Sequence, residues 1–358
     1  MQAIIKEIDQ YAFLTGKIPV TSFYIGGGTP TTMLNNGLED ILEHIYKKFN
    51  MQCDIHLESH PNHLSQVNLE KIKSLGVQNL SIGVESLQDK YLKFLNRPYS
   101  VKEVTETVQR SVDMNFKCLN LDFIFELPGQ TYSEVELAGR TLVEMGANQV
   151  AAYPLFRFPY TKMGSSGEVS NFKLATILKR RKMIGILENI FYSSGFARSS
   201  VWAFTKQGQP KYCSVTVPAY FGLGASGGTY LNDIFYLNTF NVSHYIQAME
   251  KGNSPIALSI NLREKMQMAA WLYWRIYETS FNKTDFQQRF GKELDHLLGK
   301  YLKFCAAIGF LQDDGSQITL TDRGTYWLHA FEDIFSIDYI STLWGTSKQN
   351  PWPQKVVL

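Results

Sequence analysis

The residues with the clearest chemical potential are Gly26-Gly27-Gly28-Thr29-Pro30-Thr31, which directly follow the apolar stretch 20–25. Three glycines at a strand end leave bare backbone for a ligand to lie against, and Pro30 fixes the turn that follows. The run lacks the lysine of a phosphate loop and the spacing of a dinucleotide fingerprint, and the same residues also make a plain strand-to-helix turn. Charged residues recur at comparable places downstream: Glu58, Glu85 and Asp122 sit at or near the ends of apolar runs, and Arg97 begins a loop after the third. Any one of these could be a cap or a surface charge. Three acids at successive strand ends form a set, because the loops at the carboxyl ends of βα units are where active sites are built.

The elements that must position these groups alternate. Apolar, β-branched runs occur at 20–25, 53–58, 77–85, 118–125 and 149–156. Between them Leu38, Ile41, Leu42, Ile45 and Phe49 share one helical face, as do Val101, Val104, Thr105, Val108 and Val112. Strands alternating with helices about every 30 residues predict five right-handed βα units around a parallel sheet or barrel. An amphipathic helix of Ile4, Ile5, Ile8, Tyr11 and Ala12, ended by Gly16, comes first, with no strand before it. After Ser199 the rhythm changes, with another strand at 200–205 and a second glycine-rich segment at Gly222, Gly224, Gly227 and Gly228. Segments 285–290, 294–308 and 310–321 then read as helix, helix and β-wing. The domains expected are 1–198, a partial barrel; 199–260, a connecting region; and 261–358, a winged-helix-like domain.

Bulk properties exclude several classes. The 358 residues are 44% hydrophobic and 19% charged, as in a globular enzyme, and no apolar run approaches the ~20 residues of a membrane span. Lys6, Glu7 and Asp9 argue against a secretion signal, so a cytoplasmic protein is expected. A net charge of +2 disfavours a nucleic-acid binder, and residues 283–323 hold six Lys or Arg against six Asp or Glu, which leaves the wing without a basic recognition face. The basic run Lys179-Arg180-Arg181-Lys182 reads first as a solvated helix face, and second as a contact for an acidic substrate such as a propionate. Cys53, Cys118, Cys213 and Cys305 lie too far apart for the short spacings of a zinc or iron–sulfur site; Cys53 and Cys118 fall in strand-like runs and read as core.

Taken together, GGGTPT, LESHP, SIGVES, NRPYS, LDFIFELPGQT and YFGLGASGGTYLN followed by YLNTF resemble the oxygen-independent coproporphyrinogen III oxidase-like branch of radical S-adenosylmethionine (SAM) proteins, over essentially the whole chain. The resemblance implies an α/β fold: an incomplete (β/α)6 barrel lacking its first strand, plus a C-terminal α+β winged-helix-like domain. It further implies SAM held against a [4Fe–4S] cluster and cleaved to a 5′-deoxyadenosyl radical. By position, the backbone of Gly27, Gly28 and Thr29 would hold the methionyl ammonium with Glu58 nearby, Arg97 would pair with the methionyl carboxylate, and Glu85 and Asp122 would accept from the ribose hydroxyls. The residue types agree, since a zwitterionic amino acid bearing a diol needs both a cation and carboxylates at one mouth.

Three departures bear on function. The family's CxxxCxxC motif, at the end of the first barrel strand, is not in these 358 residues, so no metal-ligating residues are assigned and a cluster is expected only in a longer form. The expectation is therefore of a truncated chain or misassigned start rather than a natural cluster-free relative. Glu85 stands where the family commonly has Gln, and Gly228 where many relatives have a histidine, which removes that residue as a porphyrin contact. The first reading is a radical SAM oxidoreductase acting, in full-length form, on a porphyrin-like or other bulky substrate, with flavodoxin or ferredoxin as electron donor. The alternatives are a non-catalytic haem chaperone or cluster-free SAM-binding relative, and a radical SAM methyltransferase or haem-degrading enzyme. A winged-helix regulator is the weakest reading.

Overall fold

A computed structural model describes residues 1–156, 174–212 and 217–356, which fall into two compact units meeting in sequence near residue 214. In the first unit helix α1 (Gln2–Thr15) ends at Gly16, whose φ of 63° is one that glycine adopts without strain. Strands β1 (Pro19–Val20) and β3 (Asn50–Met51) form a small parallel pair. The main sheet has seven strands in the order β2 (Phe23–Ile25), β4 (Ile55–Ser59), β5 (Val77–Glu85), β6 (Cys118–Phe125), β7 (Gln149–Pro154), β9 (Ala203–Lys206) and β8 (Phe196–Arg198). The first five are parallel; β7–β9 and β9–β8 are antiparallel.

The parallel part requires crossovers, and the helices supply them: α2 (Leu38–Lys48), α3 (Gln66–Ser74), α4 (Asp89–Phe94), α5 (Val101–Asp113), α6 (Tyr132–Glu144) and α7 (Leu174–Ser193). Local signals set their ends. Ser100 with Glu103 and Thr131 with Glu134 form capping boxes at α5 and α6. Glu39 and Asp40 open α2 while Lys47 and Lys48 close it, matching its dipole. The fold is thus α/β with a mixed sheet: the expected parallel units are present, and the strand expected at 200–205 pairs antiparallel. The short partner β8 has no signal of its own in the sequence; its neighbour β9 is the strand of this sheet that lies beyond residue 198.

The second unit begins, among described residues, with the antiparallel sheet β10 (Gly228–Tyr230), β11 (Ile234–Asn238) and β12 (Ile256–Asn261), with α8 (Val242–Glu250) between the last two. The glycine-rich segment serves packing here, since a Cβ on Gly222 would sit 2.4 Å from the Gly228 carbonyl oxygen. Then come α9 (Glu264–Tyr277), β13 (Ser280–Asn282), α10 (Lys283–Phe290), α11 (Leu294–Ala307), the hairpin β14 (Leu311–Asp313) and β15 (Gln317–Leu320), and α12 (Asp322–Gln349). Trp271, Phe281, Phe286, Leu294, Leu311, Ile318 and Leu320 form its core. The helix–helix–hairpin part follows the pattern read at 285–321, while α9 and β13 before it were not read from the sequence.

Candidate functional site at the carboxyl ends of the parallel strands

Parallel strands covered on both faces read as continuous apolar runs. Here one face is apolar, with Leu57, Leu80, Ile82, Leu121 and Phe123 fully buried, and the other is polar. Tyr24, His56, Asn79 and Cys118 lie side by side across β2, β4, β5 and β6. The next row is Glu58, Ser81, Asn120, Gln149 and Thr205, and above it Gly83 pairs with Asp122. The charged members of this face stand toward the carboxyl ends, where the loops converge.

At β2 the glycine run turns over Glu58. The Gly27 N–H donates to Glu58 Oε2 at 3.1 Å, and the Tyr24 hydroxyl donates to Glu58 Oε1. A Cβ on Gly26 would lie 2.4 Å from Tyr24 Cε1 and 2.8 Å from the Glu58 carboxylate, so this approach requires glycine. Burial and the neighbouring carboxylate raise the Tyr24 pKa and keep the phenol protonated as donor. The Thr29 carbonyl accepts from the Thr32 N–H and hydroxyl, while no neighbour crowds Gly28.

Glu85 ends β5 at a register shift with φ of 63°, a left-handed conformation unusual for a side chain with Cβ. Arg97 Nη2 donates to Glu85 Oε1 at 2.5 Å, and the Tyr99 hydroxyl fastens the same loop to the Gly83 carbonyl at 2.7 Å. Burial raises the Glu85 pKa; the Arg97 guanidinium opposes this. Arg97 Nε is buried without a partner. Asp122 accepts from the Ser81 hydroxyl at 2.8 Å and from Asn120 Nδ2 at 2.9 Å. Burial still pushes its pKa up to about 7, with the Glu85 and Glu58 charges adding to the rise.

The structure thus brings Gly27 to Glu58 and Arg97 to Glu85, and sets Asp122 within electrostatic reach of both glutamates. Gly28 and Thr29 continue the turn. Arg97 and Glu85, given separate roles from the sequence, are paired with each other. Tyr24, His56, Asn79, Ser81 and Asn120 were not picked out from the sequence, although polar residues at period two within apolar runs are a readable signal of a lined sheet face. The basic run is a solvated face only in part: Lys182 is exposed and Lys179 and Arg181 are half-buried, but Arg180 is 5% exposed and its Nε donates to Glu126 at 2.6 Å.

Among the described residues no group of three or more His, Cys, Asp or Glu could hold a metal ion. Cys118 is buried in β6 with its thiol pushed up to about 12 by desolvation, whereas Cys53 lies half-buried in a bend outside any strand, contrary to the core reading. Cys305 belongs to the second unit, and Cys213 lies outside the described residues. These donors do not fit an iron–sulfur cluster.

Residues 2–141 match the radical SAM superfamily model. The matched segment carries the glycine turn, Glu58, Glu85, Arg97 and Asp122; proteins of that superfamily as a group use SAM and a [4Fe–4S] cluster. The chain is 25% identical over 331 residues to the haem chaperone HemW of Bacillus subtilis (strain 168), covering 90% of this chain and 87% of that one. It is 22% identical over 307 residues to the oxygen-independent coproporphyrinogen III oxidase of Helicobacter pylori (strain ATCC 700392 / 26695), covering 78% and 66%. The solved structure of coproporphyrinogen III oxidase (HemN) from Escherichia coli matches with a TM-score of 0.77 at 17% identity, over 92% of this chain and 80% of that one, a likeness of fold.

Proposed function

We propose that the first unit binds SAM at the carboxyl ends of β2, β4, β5 and β6, and that the protein handles a tetrapyrrole, haem or a porphyrin, as a binding protein of the chaperone type. The observation that carries the SAM reading is the convergence of Glu58, Glu85 and Asp122, with Arg97 on Glu85, beside a bare glycine turn. Such a mouth is net negative and suits a ligand of net positive charge; SAM, with an ammonium, a sulfonium and one carboxylate, is such a ligand. The partnerless Nε of Arg97 fits a ligand carboxylate, because a buried guanidinium N–H left unpaired is costly. The turn from Gly27 to Thr29, with Glu58, would take the ammonium, and Glu85 and Asp122 the ribose hydroxyls. When bound beside a reduced cluster, SAM supplies radical chemistry in this superfamily.

A radical oxidoreductase fed by flavodoxin or ferredoxin is the second reading, and its cluster ligands would come from outside the described residues. The relatives named haem chaperones include the one matched over the larger share of both lengths, which favours binding over turnover. The test is a titration of haem and of metal-free porphyrin, followed at the Soret band. A saturable change at one ligand per chain is expected. No saturable change with either, in protein that still binds SAM, would refute the tetrapyrrole half of this reading.

A further inference from the structure

Glu126 directly follows β6 and has a φ of 63°, so adjacent strands β5 and β6 both end on a glutamate in the left-handed region. A non-glycine residue held there costs on the order of 1 kcal/mol and persists where its surroundings fix it. At each of the two an arginine does the fixing: Arg97 for Glu85, and Arg180 of α7 for Glu126. The second pair is the more deeply enclosed, with side chains 6% and 8% exposed.

Its geometry is one-sided. Arg180 gives Nε to Glu126 Oε2 at 2.6 Å, one of the five N–H donors a guanidinium carries. It makes no other hydrogen bond to a described residue, and its terminal nitrogens are not among the sealed, partnerless atoms. Glu126 therefore orients the guanidinium through its edge while the terminal fork stays available. Arg181 is neutralised by Glu188 at 2.8 Å, while Lys179 and Lys182 add two positive charges within one turn of α7, so the local field favours an anion.

From this we propose that Arg180, aimed by Glu126, is the binding residue for a carboxylate of the tetrapyrrole. The proposal rests on the tetrapyrrole reading above and adds what that reading lacks, a determinant for acidic side chains. A planar fork matches a carboxylate with two parallel hydrogen bonds, which a lysine cannot reproduce.

The experiment compares metal-free deuteroporphyrin, which carries two propionates, with its dimethyl ester, by Soret titration. Wild type, Arg180→Lys and the double variant Glu126→Gln/Arg180→Gln are used, the last because it leaves no charge buried alone. Thermal melts and SAM binding report whether each variant is folded with its SAM site intact. Wild type should bind the diacid roughly 10- to 100-fold more tightly than the diester, as a charge-assisted bidentate pair predicts. The double variant should bind the two equally, with the diester affinity unchanged, and Arg180→Lys should keep only part of the preference. Equal binding of diacid and diester by wild type would overturn the assignment while leaving the tetrapyrrole reading standing, as would a preference that survives in the folded double variant. If wild type binds neither porphyrin, both fall together.

Discussion

Removing the Arg97 side chain separates what the Glu85–Arg97 pair does for the fold from what it does for a ligand. Glu85 is held in a left-handed backbone with its side chain 14% exposed, and its partner is 34% exposed, so solvent screens the pair in part. A charged hydrogen bond of this kind contributes about 1–2 kcal/mol, below the value for a fully enclosed pair. For a unit of this size that corresponds to a fall in Tm of about 2–8 °C in Arg97→Ala. The pH dependence has a definite sign. Burial already raises the Glu85 pKa from its ordinary 4.5, and loss of the cation that opposes this raises it further. The folded variant then holds a proton that the unfolded chain releases, so its deficit is smallest below about pH 4.5 and grows as pH rises. Adding Glu85→Gln removes the unpaired charge and should recover most of the Tm. It should not recover SAM affinity, which Arg97→Ala lowers roughly 10- to 100-fold by removing the carboxylate's partner. Differential scanning calorimetry and isothermal titration on wild type, single and double variants decide it. Equal Tm losses in single and double variants, or SAM affinity restored by the second substitution, would refute the reasoning.

Asp122 should make the first unit less stable as pH rises from about 4 to 7, since its folded pKa of about 7 exceeds the ordinary 3.8; Asp122→Asn should flatten that slope in urea melts across pH. The same ionisation should tighten SAM binding between pH 6 and 8, with proton release detectable as a buffer-dependent heat. Gly26→Ala should drive Tyr24 and Glu58 apart, cost about 1–3 kcal/mol and abolish detectable SAM binding, whereas the same change at Gly28, which nothing crowds, should be nearly silent in urea melts. Anaerobic iron–sulfide reconstitution of the 358-residue chain should leave it colourless; absorption near ~400 nm with about four irons per chain, lost on Cys→Ala substitution, would overturn this.

The parallel part of the sheet was readable because β-branched runs and helical periodicity alternate at nearly constant spacing, and the bounds expected for β5 and β6 match the strands residue for residue. The site acids were readable as positions only in part: Glu85 ends β5 and Glu58 stands one residue before the end of β4, but Asp122 lies three residues inside β6. Their pairing was not, because Arg97 reaches Glu85 only through a loop folded back by the Tyr99–Gly83 hydrogen bond, a contact between residues 16 apart in sequence that no local pattern encodes. Burial of Arg180 escaped notice for a related reason. A basic tetrad reads as solvated until the one acidic residue able to neutralise its inward member is placed opposite, and Glu126 lies 54 residues away. Cys53 misled because a short apolar run was extended two residues past the true start of β4.

The central claim is that the strand-end carboxylates and the glycine turn form a site for SAM. Isothermal titration of SAM into wild type, Glu58→Gln and Asp122→Ala at pH 7.5 tests it most directly. The account predicts saturable one-to-one binding by wild type, weakened at least about tenfold by each substitution in protein that remains folded. Absence of binding to wild type, or an affinity that neither substitution changes, would contradict it.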